Sequence, residues 1–211
     1  VEKVARALDL SVPIATLNDV GRIQALFSQA LPVMSLASDE LEGLNKTEFG
    51  RPQIKTASAV ISSLERAVRL TAEKKAAGIV TLPIQKEILA KAGFSHPGHT
   101  EYLQQATREL EMPFGGERGA VMILTAGPFR VVPLTVHVPL RDVSDLITPE
   151  RIIRTATIVY QSIQRDYGIP APRIAISGLN PHAGEAGQIG EEEIKVIIPA
   201  IKSLQENGMD V

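Results

Sequence analysis

The sequence of 211 residues has no cysteine. That excludes disulfides and thiolate metal sites, so any metal would have to be held by imidazole and carboxylate. A cationic excess is missing too: 22 Lys and Arg stand against 24 Asp and Glu, a formal net charge of −2. A binder of phosphate backbones needs a basic surface, so nucleic acid is not an expected partner. No apolar run approaches the length of a membrane-crossing helix, and Val1-Glu2-Lys3-Val4 lacks the basic and apolar segments of a secretory signal. A soluble, cytoplasmic protein with no membrane partner is expected. There is no initiator methionine, and the chain opens inside an amphipathic pattern (Val4, Ala7, Leu8), which reads as an internal segment. What remains is ordinary for a globular chain: 44% hydrophobic and 22% charged residues are enough for a substantial core, as one large α/β domain or as two lobes.

From Thr56 to Ala77 apolar residues recur at Ala57, Val60, Ile61, Leu64, Ala67 and Val68, the spacing of a helix, with Gly78 as its stop. Gly78 to Leu82 reads as a short strand ended by Pro83, with Lys86 on a new helix. Downstream, Thr148-Pro149 supplies a cap and a first-turn proline for a helix running to Gly168. Arg173 to Ser177 then reads as a strand, followed by a helix carrying Ile194, Ile197, Ile198, Ile201 and Leu204, bent near Pro199. Between these lie two strand candidates, Ala120 to Leu124 and Phe129 to Leu140. In the second, alternation sets Val132, Leu134, Val136 and Val138 against Thr135 and His137. Alternating helices and strands predict an α/β fold with a mostly parallel sheet, where ligands gather beyond the carboxyl ends of strands. Lys86, His137 and His182 all fall at or just past such an end. Gly93 to Gly98 is the linker candidate.

Histidine is scarce, and each of the four lies in a distinctive motif. His182 sits in Gly178-Leu179-Asn180-Pro181-His182-Ala183-Gly184-Glu185-Ala186-Gly187-Gln188-Ile189-Gly190, a glycine-rich loop between an expected strand and an expected helix. A lone histidine in such a loop commonly braces it. Together with His137 it could instead begin a divalent-metal site, which would still need a carboxylate or a third histidine. Asp142 could be that ligand, or could pair with Arg141.

His96-Pro97-Gly98-His99-Thr100-Glu101 offers an imidazole, a hydroxyl and free N–H groups at a helix start, suited to a phosphate or carboxylate. The alternative is a Thr100 cap with Glu101 in the favourable first turn. Lys86 could neutralise an anion or assist proton transfer, or could be a solvated helix lysine. The glycines at 184, 187 and 190 are not in GxGxxG register. Glu191-Glu192-Glu193 would repel a pyrophosphate there and instead stabilises the helix dipole, so no dinucleotide loop is recognised.

Taken together and in order, Thr81-Leu82-Pro83-Ile84-Gln85-Lys86, Pro97-Gly98-His99-Thr100-Glu101, His137-Val138-Pro139-Leu140-Arg141-Asp142 and the loop from Gly178 to Glu185 closely resemble the 4-hydroxythreonine-4-phosphate dehydrogenase family. The resemblance spans essentially the whole chain, and its last motif is highly specific. It implies oxidation of 4-phosphohydroxy-L-threonine by NAD or NADP with a divalent metal (zinc, magnesium or cobalt), giving a β-keto acid that decarboxylates, in pyridoxal phosphate biosynthesis. It also implies a homodimer and a two-lobed α/β/α fold with mostly parallel sheets, like that of isocitrate and isopropylmalate dehydrogenases. The expected lobes are residues 1–92 and 93–211, both partial. By similarity His137 and His182 match metal positions, His99 and Thr100 match substrate-binding positions, and Lys86 matches a characteristic lysine with a catalytic role.

The chain departs from the family pattern at Leu82, where a small residue is usual, and at Ala186, where glycine is common. It also lacks the family's opening segment and its final third, which normally supplies another metal histidine, basic phosphate-binding residues and most cofactor contacts. It therefore reads as the interior of a longer enzyme. The competing expectations are a sister dehydrogenase of D-threonate or D-erythronate 4-phosphate, a metal-dependent hydrolase or lyase, and a truncated dimerisation or ligand-binding module without turnover.

Overall fold

The strongest helical periodicity in each half of the sequence becomes the longest helix there: α3 (Ala57–Ala72) and α7 (Pro149–Tyr167). The computed structural model describes residues 1–36, 44, 47–112 and 115–211, which divide into two units, Val1–Thr107 and Arg108–Val211.

In the first unit, α1 (Glu2–Ala7) is followed by β1 (Ile14–Leu17), a short crossover containing α2 (Ile23–Leu26), and β2 (Leu31–Met34). β1 and β2 pair in parallel, in register from Ile14 opposite Leu31 to Leu17 opposite Met34. α3 buries Ala57, Ala59, Leu64 and Val68 and lies against α5 (His99–Thr107). It stops well short of Gly78. Lys74 takes a left-handed φ of 58°, and the amides of Lys75 and Ala76 turn back onto the Leu70 carbonyl. The Glu73, Lys74, Lys75 run has no apolar side chain to bury, so nothing repays a further turn.

Gly78 to Leu82 does not form the expected strand. Val80 and Leu82 are 99% and 83% exposed, and no strand among the described residues takes up the backbone. Lys86 opens α4 (Lys86–Lys91) as expected, with Leu89 buried beneath it.

The second unit begins with a small hairpin, β3 (Leu124–Ala126) antiparallel to β4 (Phe129–Val131). Its two-residue turn has Gly127 at φ 57° ahead of Pro128, as a type II′ turn requires. The long strand expected from Phe129 to Leu140 ends at Val131. Pro133 and Pro139 cannot donate to a ladder, and His137 takes a left-handed φ of 57° that breaks the extended run. Arg173 to Ser177 is likewise reduced to one parallel bridge, Arg173 with Asp210.

After α6 (Val143–Leu146), α7 starts as its sequence dictates: Thr148 Oγ1 accepts from the Arg151 amide at 3.2 Å, Pro149 fills the first turn, and Gly168 ends the helix. The final helix starts with a π-helical turn (Glu193–Ile197) and continues as α8 (Ile198–Glu206). The wide turn lies directly before Pro199, whose missing N–H would interrupt a regular helix.

α7 and α8 make the core of this unit. Ile152 and Ala156 meet Ile197, Ala200 and Leu204, and Leu134, Ile147 and Ile176 pack around them. Truncating a side chain as enclosed as Leu204 costs about 2–5 kcal/mol in such cores. The fold is α/β, helices with small sheets. The mostly parallel sheet is not realised among the described residues, which hold one parallel and one antiparallel pair.

Candidate functional site

The loop carrying His182 is a turn of the wrong hand for L-residues. From Ala183 to Gly187 every φ is positive: 48°, 72°, 44°, 56° and 93°. Placing a non-glycine residue there costs roughly 1–2 kcal/mol each, so Ala183, Glu185 and Ala186 hold strain that local bonds must offset. Those bonds are on hand. Asn180 Oδ1 accepts from the His182 amide at 2.9 Å, the Asn180 carbonyl from Ala183 N at 3.1 Å, the His182 carbonyl from Glu185 N at 3.0 Å, and the Gly184 carbonyl from Ile189 N at 3.2 Å.

The turn brings the Glu185 carboxylate back onto the imidazole, with His182 Nδ1 2.8 Å from Glu185 Oε1. A ring nitrogen facing a carboxylate is the proton-bearing one, so Nε2 is left as the available lone pair on an exposed side chain. Gly184 is required by space as well as by φ, because a Cβ there would lie 2.5 Å from the Gly190 carbonyl oxygen.

His182 does not follow a regular strand, and neither does His137, which sits in an irregular, bent segment after β4. Both were expected at strand ends; the missing strands remove that rationale. His137 is exposed, flanked by the half-buried Val136 and Val138. Of the two roles open to Asp142, the structure shows the pairing with Arg141, at 3.5 Å. Among the described residues no three His, Asp or Glu side chains gather as a metal cluster. The donor set nonetheless suits part of such a site: a neutral imidazole with its second nitrogen held by a carboxylate is the usual arrangement of a metal-binding histidine.

In the first unit, the turn at His96-Pro97-Gly98 leads into α5. The Tyr102 amide bonds to the Gly98 carbonyl at 3.2 Å, so His99 is the first helical residue and Thr100 the second. Thr100 is therefore not the cap; the imidazole and hydroxyl stand in the first turn, where N–H groups are unpaired. The helix is braced by Phe94, His96 and Tyr102, whose rings meet with centroids 5.2 to 5.4 Å apart. His99 Nε2 is buried without a hydrogen-bond partner among the described residues. Lys86, exposed at the start of α4, reaches this turn: a Cβ on the buried Gly98 would be 3.5 Å from Lys86 Nζ and 3.3 Å from Glu101 Oε2. The structure thus gathers Lys86, Gly98, His99 and Glu101.

Two residues escaped the sequence reading as individuals. Glu185 reads from sequence only as part of the motif; its spacing of three from His182, across glycine, is the signal that marks it. Glu193 reads, with Glu191 and Glu192, as helix-dipole charge. The spacing 193, 197, 200, 204 puts it on the apolar face, and it is indeed buried, at 8% exposure. Its Oε1 accepts from the Leu179 amide at 2.8 Å. Glu191, by contrast, pairs outward with Lys195.

Comparison with known proteins is consistent across the chain. The family model described as "Pyridoxal phosphate biosynthetic protein PdxA" matches residues 1–211. The sequence is 40% identical over 214 residues to the 4-hydroxythreonine-4-phosphate dehydrogenase of Methylorubrum populi, covering 100% of this chain and 58% of that protein. It is 41% identical over 204 residues to the protein of the same name from Erythrobacter litoralis, covering 96% and 57%. The crystal structure of 4-hydroxythreonine-4-phosphate dehydrogenase from Klebsiella pneumoniae matches with a TM-score of 0.80 at 27% identity, over 100% of this chain and 61% of that one. The chain spans well under two thirds of the length of these relatives.

Proposed function

The chain belongs to the PdxA family of pyridoxal phosphate biosynthetic proteins, and from that premise we propose that it forms part of a dehydrogenase acting on 4-phosphohydroxy-L-threonine. The substrate's C3 hydroxyl is oxidised to a ketone, giving a β-keto acid that then loses carbon dioxide. A divalent metal (zinc, magnesium or cobalt) would stabilise negative charge on the reacting oxygen, and NAD or NADP would accept the hydride.

His182 would hold the metal through Nε2 while Glu185 fixes the ring through Nδ1, with His137 as a second imidazole. Lys86, His99 and Thr100 would take the substrate's anionic end. The orphaned His99 Nε2 needs a partner, and Lys86 supplies positive charge beside the same turn. The premise also supports a cytoplasmic homodimer with the two-lobed α/β/α layout of isocitrate dehydrogenases.

The observation that carries the reading is the His182–Glu185 contact inside a family match spanning the whole chain. Nicotinamide reduction by the intact protein tests it. Turnover of 4-phosphohydroxy-L-threonine is expected, with kcat/KM falling about 10²-fold or more in His182→Ala. Exclusive turnover of D-threonate 4-phosphate would move the protein to the sister reaction. A folded protein that turns over neither would be a ligand-binding module.

A further inference from the structure

The left-handed turn at 183–187 is strained, and its own hydrogen bonds lie within the loop, so they cannot anchor it to the rest of the unit. A buried side chain of the helix behind it enters the loop and bonds to its backbone. Glu193 Oε1 accepts from the Leu179 amide at 2.8 Å, just ahead of the motif's Asn180-Pro181-His182. The other oxygen lies against the far side of the loop: a Cβ on Gly184 would be 3.0 Å from Oε2, and one on Gly178 would be 3.1 Å from Oε1. The carboxylate therefore spans the loop from its entry to the residue two past His182, and both glycines leave room for it.

Burying a carboxylate is costly, and here the cost is not fully met, since Oε2 has no partner among the described residues. An apolar residue at this place on the face shared with Ile197, Ala200 and Leu204 would pack without that cost. A carboxylate here serves geometry, because it is the acceptor that ties the loop entry to the helix.

We infer that Glu193 is a positioning residue for His182, a buried clamp that fixes the loop on the final helix so that Nε2 is presented in one place. The inference rests on the reading of His182 as a metal ligand. Glu185 sets the rotation of the ring; Glu193 sets where the loop carrying it stands. The element required is an acceptor at this reach, so glutamine should serve and aspartate, one methylene shorter, should not.

The test is cobalt binding by calorimetry on the intact protein, with hydrogen exchange of the Leu179 amide measured without metal. Glu193→Ala and Glu193→Asp are expected to weaken cobalt binding about 10–100-fold, the usual scale for outer-shell partners of a ligating histidine, and to deprotect Leu179. Glu193→Gln is expected to keep both within about three-fold, since the weaker bond to a neutral acceptor is offset by the smaller cost of burying an uncharged side chain.

If Glu193→Ala fails to fold, Glu193→Asp decides. Wild-type cobalt binding in the Asp variant, with His182→Ala impaired, overturns the clamp. Equal damage in Gln and Ala also overturns it, since charge and not reach would then be the requirement. If His182→Ala binds cobalt like wild type, the metal reading fails instead, and loss of Leu179 protection in Ala and Asp but not Gln upholds the clamp as a loop anchor.

Discussion

His182 Nδ1 lies 2.8 Å from Glu185 Oε1, three residues on and across a turn that runs left-handed. A right-handed turn would put these residues in ordinary i,i+3 relation. Here the reversed hand folds the carboxylate onto the ring. Replacing Glu185 with glutamine is expected to lower cobalt or zinc affinity of the intact protein about 10-fold, and alanine more, since outer-shell carboxylates raise ligand basicity and fix the tautomer. Calorimetry checks this; unchanged affinity in both variants would separate Glu185 from the site.

Gly184→Ala should destabilise the second unit by about 2 kcal/mol or more. The added Cβ meets backbone at 2.5 Å, not a side chain that can swing away, and φ is 72°. Thermal or denaturant unfolding measures it. A loss under about 0.5 kcal/mol, the usual bound for a harmless surface change, would mean that the turn relaxes easily.

At Ala186 the sign reverses. This exposed residue holds φ 56°, so Ala186→Gly relieves left-handed strain and removes no buried contact, while glycine's freer unfolded chain takes back part of the gain. The expected outcome is a gain of up to about 1 kcal/mol in the same unfolding assay. A clear loss of stability would show that the alanine methyl packs on something useful.

Tyr102 gives the pH dependence of the first unit. Burial raises its phenol above the ordinary range, and the Glu65 charge adds to the shift. The folded state therefore holds its proton to higher pH than the unfolded chain, so this contribution is intact below about pH 10 and is lost as pH rises through the folded value. Tyr102→Phe should flatten the alkaline limb of a stability-against-pH curve and leave the neutral region level. An unchanged alkaline limb would place the titration elsewhere.

The helices were legible because their signals are local. Thr148, Pro149 and Gly168 mark both ends of α7, and the spacing of Ala57, Leu64 and Val68 marks α3. The strands were not legible, because apolar runs such as 78–82 and 129–140 become strands only with a partner, and prolines 133 and 139 already argued against a continuous ladder. In the site, motif residues could be picked from sequence, but their contacts could not. The return of Glu185 onto His182 depends on three successive positive φ values, at Ala183, Gly184 and Glu185, of which only that at Gly184 is encouraged by residue type. Glu193 was legible in principle, since its spacing from Ile197, Ala200 and Leu204 put a charge on an apolar face.

The histidine loop lies, along the chain, between α7 and α8, the two helices whose meeting makes the core of this unit. The longest-range bond that shapes it joins Leu179 to Glu193, 14 residues on, so its closure needs only the start of the final helix and not the docking of that helix on α7. A fluctuation that lifts α8 from Ile152 and Ala156 breaks no bond of the loop and leaves Leu179 tied to Glu193, so loop and helix shift against α7 as one piece and His182 keeps its footing on the final helix.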